Sequence, residues 1–211
     1  MKIKTPFFYI KIDILFIIAM FVFFLSLKLR VFFSSFLVCY MFIIFHESCH
    51  MFVGTVLGKS IDTFNISLFG VSVSFNKTRY EINKKKNINE YIREIIIYIA
   101  GPLSNFILAI IFNNIKFVFD INIFLGILNL IPIYPLDGYN ILKNLLLINF
   151  KENKAEKIIN FINYMFFVVL VILGIICLIL IYNPSLILFL IYLIIIKNSN
   201  IKYINNTKFY K

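Results

Sequence analysis

From Phe161 to Tyr182 the chain runs 22 residues without one charged side chain. A helix of that length crosses the ~30 Å hydrocarbon core of a bilayer. Similar runs recur from the N-terminus onward. The 61% hydrophobic composition and mean hydropathy of +0.92 carry more apolar surface than one 211-residue core can hide. The sequence therefore predicts an all-α integral membrane protein with about six transmembrane helices. They are expected near residues 7–27, 31–57, 95–112, 117–136, 161–182 and 184–196. The first reads as a retained helix rather than a cleaved signal. Lys11 and Asp13 interrupt its start, and no small-x-small cleavage site follows it.

With six spans, the two termini and the loops at 58–94 and 137–160 share one side. Eighteen of the 21 Lys and Arg residues fall there, which makes that side cytoplasmic by the positive-inside rule. This asymmetry accounts for most of the net charge of +11, so nucleic acid is not needed as a partner. The basic stretch 76–87 (NKTRYEINKKKN) is expected to anchor at anionic lipid headgroups; contact with an acidic substrate or partner is the alternative. Residues 64–75 alternate apolar and polar around Gly70, the pattern of a small membrane-associated β-hairpin between spans two and three. No loop is long enough for a second domain, so residues 1–211 are expected to form one polytopic unit. Its catalytic core would lie at about 31–145 and its C-terminal helices at 158–196. Cys39, Cys49 and Cys177 all lie in apolar segments and are no disulfide framework; Cys39 and Cys177 read as small buried residues, while Cys49 is set apart by its place beside His50.

The chemistry concentrates in His46-Glu47-Ser48-Cys49-His50. These are the only two histidines of the chain, set inside an apolar span. On a helix, residues i and i+4 share a face, so both imidazoles can reach one metal ion. Glu47, about 100° round, can serve as general base without taking a coordination position. Two imidazoles and one adjacent carboxylate are what a zinc peptidase requires. The alternative is a set of satisfied polar groups in a helix bundle. Against it stands the cost of an acid inside a span, roughly 2.5–3.5 kcal/mol.

A catalytic zinc needs a third protein ligand. Asp137 is the only acid between Asp120 and Glu152, and Pro132 and Pro135 break the helix before it. It is the best candidate once the histidines are given, with Glu94 as the rival. Asn129 is a candidate contact to substrate or to a developing oxyanion; a hydrogen bond between helices is the alternative. In Ile99–Asn105 (IAGPLSN), Gly101 and Pro102 favour close helix packing, and Asn105 is at most a support for the ligands.

Together, His46-Glu47-Ser48-Cys49-His50, Ala100-Gly101-Pro102, and Asn129-Leu130-Ile131-Pro132 leading to Asp137-Gly138 resemble the site-2 protease family of intramembrane zinc metalloproteases. The likeness covers roughly residues 40–145. It implies Zn2+ held by His46, His50 and Asp137, with Glu47 as base. Six spans, no PDZ insertion and the phrase NLIPIYPLDG are especially similar to the sporulation branch of the family. That branch implies a membrane-associated pro-sigma factor as substrate, inhibitory membrane partners, and residence in the mother-cell membrane around the forespore. An anti-sigma factor is the alternative substrate. Three features depart from the family: Cys49 stands where glycine is usual, Tyr139 stands where a second glycine is common, and no CBS domain is seen. Outside the protease class, a membrane zinc transporter or sensor could use the same ligands. The 64–75 strands could hold an unwound substrate by β-addition.

Overall fold

A computed structural model of the chain describes residues 2–6, 8–25, 30–67, 70–76, 87–182, 186–191 and 193–194. Most of the basic stretch 76–87, residues 183–185 and the C-terminal tail lie outside the described residues. The chain divides into two compact units, residues 1–128 and 129–211.

The first unit corrects the expected start of span one. Lys2–Lys4 and Tyr9–Ile12 are strands β1 and β2, and helix α1 begins only at Ile14 and runs to Leu25. The reason lies in the residues read as interruptions. Tyr9-Ile10-Lys11-Ile12 has too little uninterrupted apolarity for a span and pairs instead with a later strand. Asp13 then starts the helix, its Oδ1 accepting the Leu15 N–H at 3.4 Å.

Helix α2 spans Arg30–Val56. It stops at Gly58, whose φ of 82° suits glycine. There the Lys59 N–H donates to Gly54 O (2.9 Å) and the Gly58 N–H to Thr55 O (3.0 Å), closing the last turn. Strands β3 (Ile61–Ser67) and β4 (Gly70–Phe75) follow as an antiparallel pair. The pair is not isolated: β3 also pairs in parallel with β2, giving one sheet ordered β1-β2-β3-β4. The all-α expectation thus gives way to a mostly helical protein with a four-stranded sheet.

The sheet is fastened to α2. Tyr40 is buried with Phe64 and Val71, and its hydroxyl donates to Ser67 O at 2.8 Å. Further along α2, a Cβ at Gly54 would lie 2.5 Å from the Phe75 ring, so any larger residue there must displace that ring. Helix α3 (Ile88–Ile111) packs along α2 and passes through Pro102 without ending. Helix α4 (Lys116–Leu130) packs on α3, where Gly126 admits the ring of Phe106.

In the second unit, residues 131–136 are non-helical. Pro132 disfavours helical backbone at Ile131, and α4 stops one residue earlier. Asp137 opens helix α5 (Asp137–Asn149), and α6 covers Glu152–Ile181. The stretch 137–160, expected as a loop, is therefore mainly helical. Ile133 is buried among Leu170, Leu190 and Leu193, and the Tyr134 N–H donates to Asn163 Oδ1 at 2.9 Å. Those contacts hold the broken segment in place.

Three helices are long and apolar enough to cross a membrane among the described residues: α2 from Phe33, α3, and α6 to Leu180. Large apolar side chains on them are open to the surroundings, Phe52 at 69%, Ile110 at 71% and Leu180 at 72%. Lipid is the solvent that suits them. Cys39, Cys49 and Cys177 are free thiols and only half-buried, so the fully buried positions expected for Cys39 and Cys177 are not found.

Gly54→Val drives a side chain into Phe75, and overpacking of this kind costs about 1–3 kcal/mol. The thermal midpoint in detergent should fall by several degrees. An unchanged midpoint would contradict the close docking of β4 on α2.

Candidate metal centre

His46 and His50 are the buried end of an otherwise apolar helix face, 4% and 5% exposed. Their Nε2 atoms are 3.0 Å apart. That spacing suggests a hydrogen bond, but two neutral rings whose other nitrogens both donate cannot form one. His50 Nδ1 lies 2.6 Å from Ile97 O, a backbone carbonyl that can only accept. His50 therefore carries its proton on Nδ1. His46 Nδ1 lies 2.5 Å from Asn105 Oδ1, also an acceptor. Both neutral rings thus donate through Nδ1 and carry a lone pair on Nε2. Two Nε2 donors this close together suit one shared cation.

The donor set fits such a cation. A tetrahedral zinc ion with Zn–N near 2.0–2.1 Å would hold two nitrogens about 3.3 Å apart. Anchoring Nδ1 on an acceptor is what orients histidine ligands in metal sites. The two imidazoles suit zinc, which takes nitrogen donors.

Helix α3 supplies the wall behind the histidines. A Cβ at Gly101 would lie 2.5 Å from His46 Nε2 and closer still to His50 Nε2. Gly101 was expected to serve helix packing. It does so at the one place where packing and ligand positions coincide. Pro102 and Ser104 are buried beside it, and Ser104 Oγ donates to Gly101 O at 2.6 Å. Asn105 is fully buried and touches His46 directly, a closer role than its expected one.

The other candidate residues fall as follows. Glu47 is half-buried on α2, next to His46. Glu94, the rival ligand, is paired with Lys59 Nζ at 3.4 Å and so is committed to a cation already. Asn129 is half-buried in the last turn of α4, and Asp137 is half-buried in the first turn of α5, both in the second unit. Next to Asp137, a Cβ at Gly138 would collide with the backbone of Leu130 and Ile131, so glycine is required there. Tyr139 stacks edge-on to Tyr134 at 5.4 Å between centroids. Burial, with the neighbouring Tyr134 and Glu156 adding to it, pushes its phenol above the ordinary range. One residue was missed by the sequence reading: Asn122, fully buried, accepts from Asn105 Nδ2 at 3.1 Å.

The structure of the site-2 protease from Methanocaldococcus jannaschii superposes with a TM-score of 0.60, at 24% identity, covering 92% of this chain and 91% of that one. This is the site-2 protease fold. The sequence comparisons agree with the fold. Residues 111–173 match the model of peptidase family M50. Zinc metalloprotease MJ0392, also from M. jannaschii, is 29% identical over 137 residues, which cover 58% of this chain. The chain spans 37% of the length of that curated relative. The site-2 protease likeness expected from the three motifs is thus found independently in sequence and in fold.

Within this fold, Gly101→Val should fill the space of the imidazole Nε2 atoms. The purified variant is expected to lose most bound zinc while its helical circular dichroism remains. Wild-type zinc content in that variant would remove the histidine pair from the metal site.

Proposed function

We propose that this chain is an intramembrane zinc metalloprotease that hydrolyses a peptide bond in a membrane-associated protein. The observation that carries the reading is the histidine pair: both Nδ1 atoms are anchored on acceptors, which leaves two Nε2 atoms 3.0 Å apart as donors for one ion. His46, His50 and Asp137 are the proposed ligands. Support comes from donor chemistry, since two imidazole nitrogens and one carboxylate oxygen are a ligand set that a catalytic zinc takes. Further support comes from Glu94, which is held by Lys59.

Zinc bound there supplies a Lewis acid that polarises the scissile carbonyl and acidifies water. The remaining steps belong to side chains. Glu47 takes the proton of the attacking water and delivers it to the departing amine nitrogen, so the C–N bond breaks with a neutral amine. Asn129 is proposed to hold the substrate carbonyl or its developing oxyanion through its side-chain amide. A substrate helix must first be unwound, because its peptide bonds are locked in internal hydrogen bonds. β4 is an edge of the described sheet and lies against α2, so an extended substrate can add to it as a strand.

The finer reading follows the sequence. Six crossings with both termini cytoplasmic place eighteen of 21 basic side chains on the cytoplasmic side. The substrate is proposed to be a sporulation pro-sigma factor, with inhibitory membrane partners controlling access in the mother-cell membrane around the forespore. The motif resemblance supports this choice.

The test is co-expression of a tagged pro-sigma factor with the wild-type chain or Glu47→Gln in a non-sporulating host. A shorter product only with wild type is expected. Product that persists with Glu47→Gln would overturn the protease reading. Absence of product from a zinc-loaded wild type would sink the sporulation substrate. In parallel, Asp137→Ala should lose bound zinc and Glu94→Ala should retain it; the reverse result would make Glu94 the third ligand.

A further inference from the structure

Behind His46 runs a chain of hydrogen bonds whose direction is fixed from its far end. Val118 O is a backbone carbonyl and can only accept, so Asn122 must turn its Nδ2 toward it, at 2.9 Å. That leaves Asn122 Oδ1 facing Asn105, where it accepts from Nδ2 at 3.1 Å. Asn105 then has only its Oδ1 to offer His46 Nδ1, at 2.5 Å. Each amide can be placed one way round, and the last link requires the proton of His46 to sit on Nδ1. Both asparagines are fully buried, so water does not compete for either amide.

We propose that Asn122 is a positioning residue of the metal centre: by fixing the amide of Asn105, it fixes His46 with its lone pair on Nε2, toward the ion. The inference rests on the metal-site reading above for its purpose, but the relay exists without metal. Without Asn122 Oδ1, the Asn105 amide can rotate and present Nδ2 to the ring. His46 Nδ1 would then have to accept, its proton would move to Nε2, and the ligand atom would be blocked. His50 is a built-in reference, because its Nδ1–H donates to the backbone at Ile97 and is independent of the relay.

The presence of only two histidines makes the test direct. The full chain, labelled with 15N-histidine in detergent, is studied above the histidine titration range, zinc-stripped by chelator and zinc-loaded. Ring nitrogen shifts report the tautomer, and competition with a chromophoric chelator reports zinc affinity. Wild type should show both rings protonated on Nδ1. Asn122→Leu, which keeps the branched heavy-atom skeleton and loses the acceptor, should move one ring toward Nε2 protonation. It should also weaken zinc binding roughly 10- to 100-fold, as loss of a ligand's hydrogen-bonded support does. Adding Asn105→Asp supplies a carboxylate that accepts from either oxygen and no longer needs orienting. The double variant should regain the Nδ1 tautomer and most of the affinity.

A packing role for Asn122 predicts the opposite order, with Leu tolerated and the added acid harmful. The proposal is overturned if Asn122→Leu keeps both tautomers and its zinc affinity, or if the wild-type ring is protonated on Nε2. It is overturned equally if both variants lose the His50 reference signal. Failure of wild type to bind zinc would defeat the metal-site reading alone, because the tautomers in zinc-stripped protein still decide the relay.

Discussion

The arrangement depends on one close approach, the backbone of α3 at Gly101 against the imidazoles of α2. No side chain larger than hydrogen fits there. With α3 this near, two anchors come into range: Ile97 O for His50, one turn before Gly101, and Asn105 for His46, one turn after. Glycine therefore sets the distance and its flanking turns set the ring orientation. In a low-dielectric interior an unpaired buried polar group costs about 1–3 kcal/mol, so these polar groups are tolerable only as a satisfied set. The described buried side chains meet that condition, since none is left without a partner.

The second constraint is the break before Asp137. Pro132 stops α4 at Leu130, and Gly138 allows α5 to start against the same backbone. An acid at the first turn of a helix is favoured by the unpaired amides there. The segment between is held by Ile133, buried in its own unit, and by Asn163. A carboxylate can thus be held at a helix start that follows a non-helical bend inside an apolar region, because a neighbouring helix satisfies the bend.

Much of the site could be read from the residues. The i, i+4 histidines, the adjacent Glu47, and the prolines before Asp137 each carry local rules of spacing and backbone geometry. Gly101 was legible only as a packing residue, since what it packs against is a tertiary fact. Asn122 left no signal, because an asparagine in an apolar helix reads the same whether it faces a ligand's support or a neighbouring backbone. The N-terminal strands were hidden for a different reason. Tyr9–Ile12 joins the sheet through β3, which lies over 50 residues later and offers it a parallel edge. The hairpin pattern was local and visible; the sheet that absorbs it was not.

The account stands or falls on the atoms around the metal. Zinc K-edge X-ray absorption on the purified full chain measures them most directly. The prediction is a first shell of nitrogen and oxygen at about 2.0–2.1 Å, with the outer-shell scattering of two imidazoles. A sulfur scatterer near 2.3 Å would instead place Cys49 on the ion, and a shell with fewer than two imidazoles would contradict the shared site of His46 and His50.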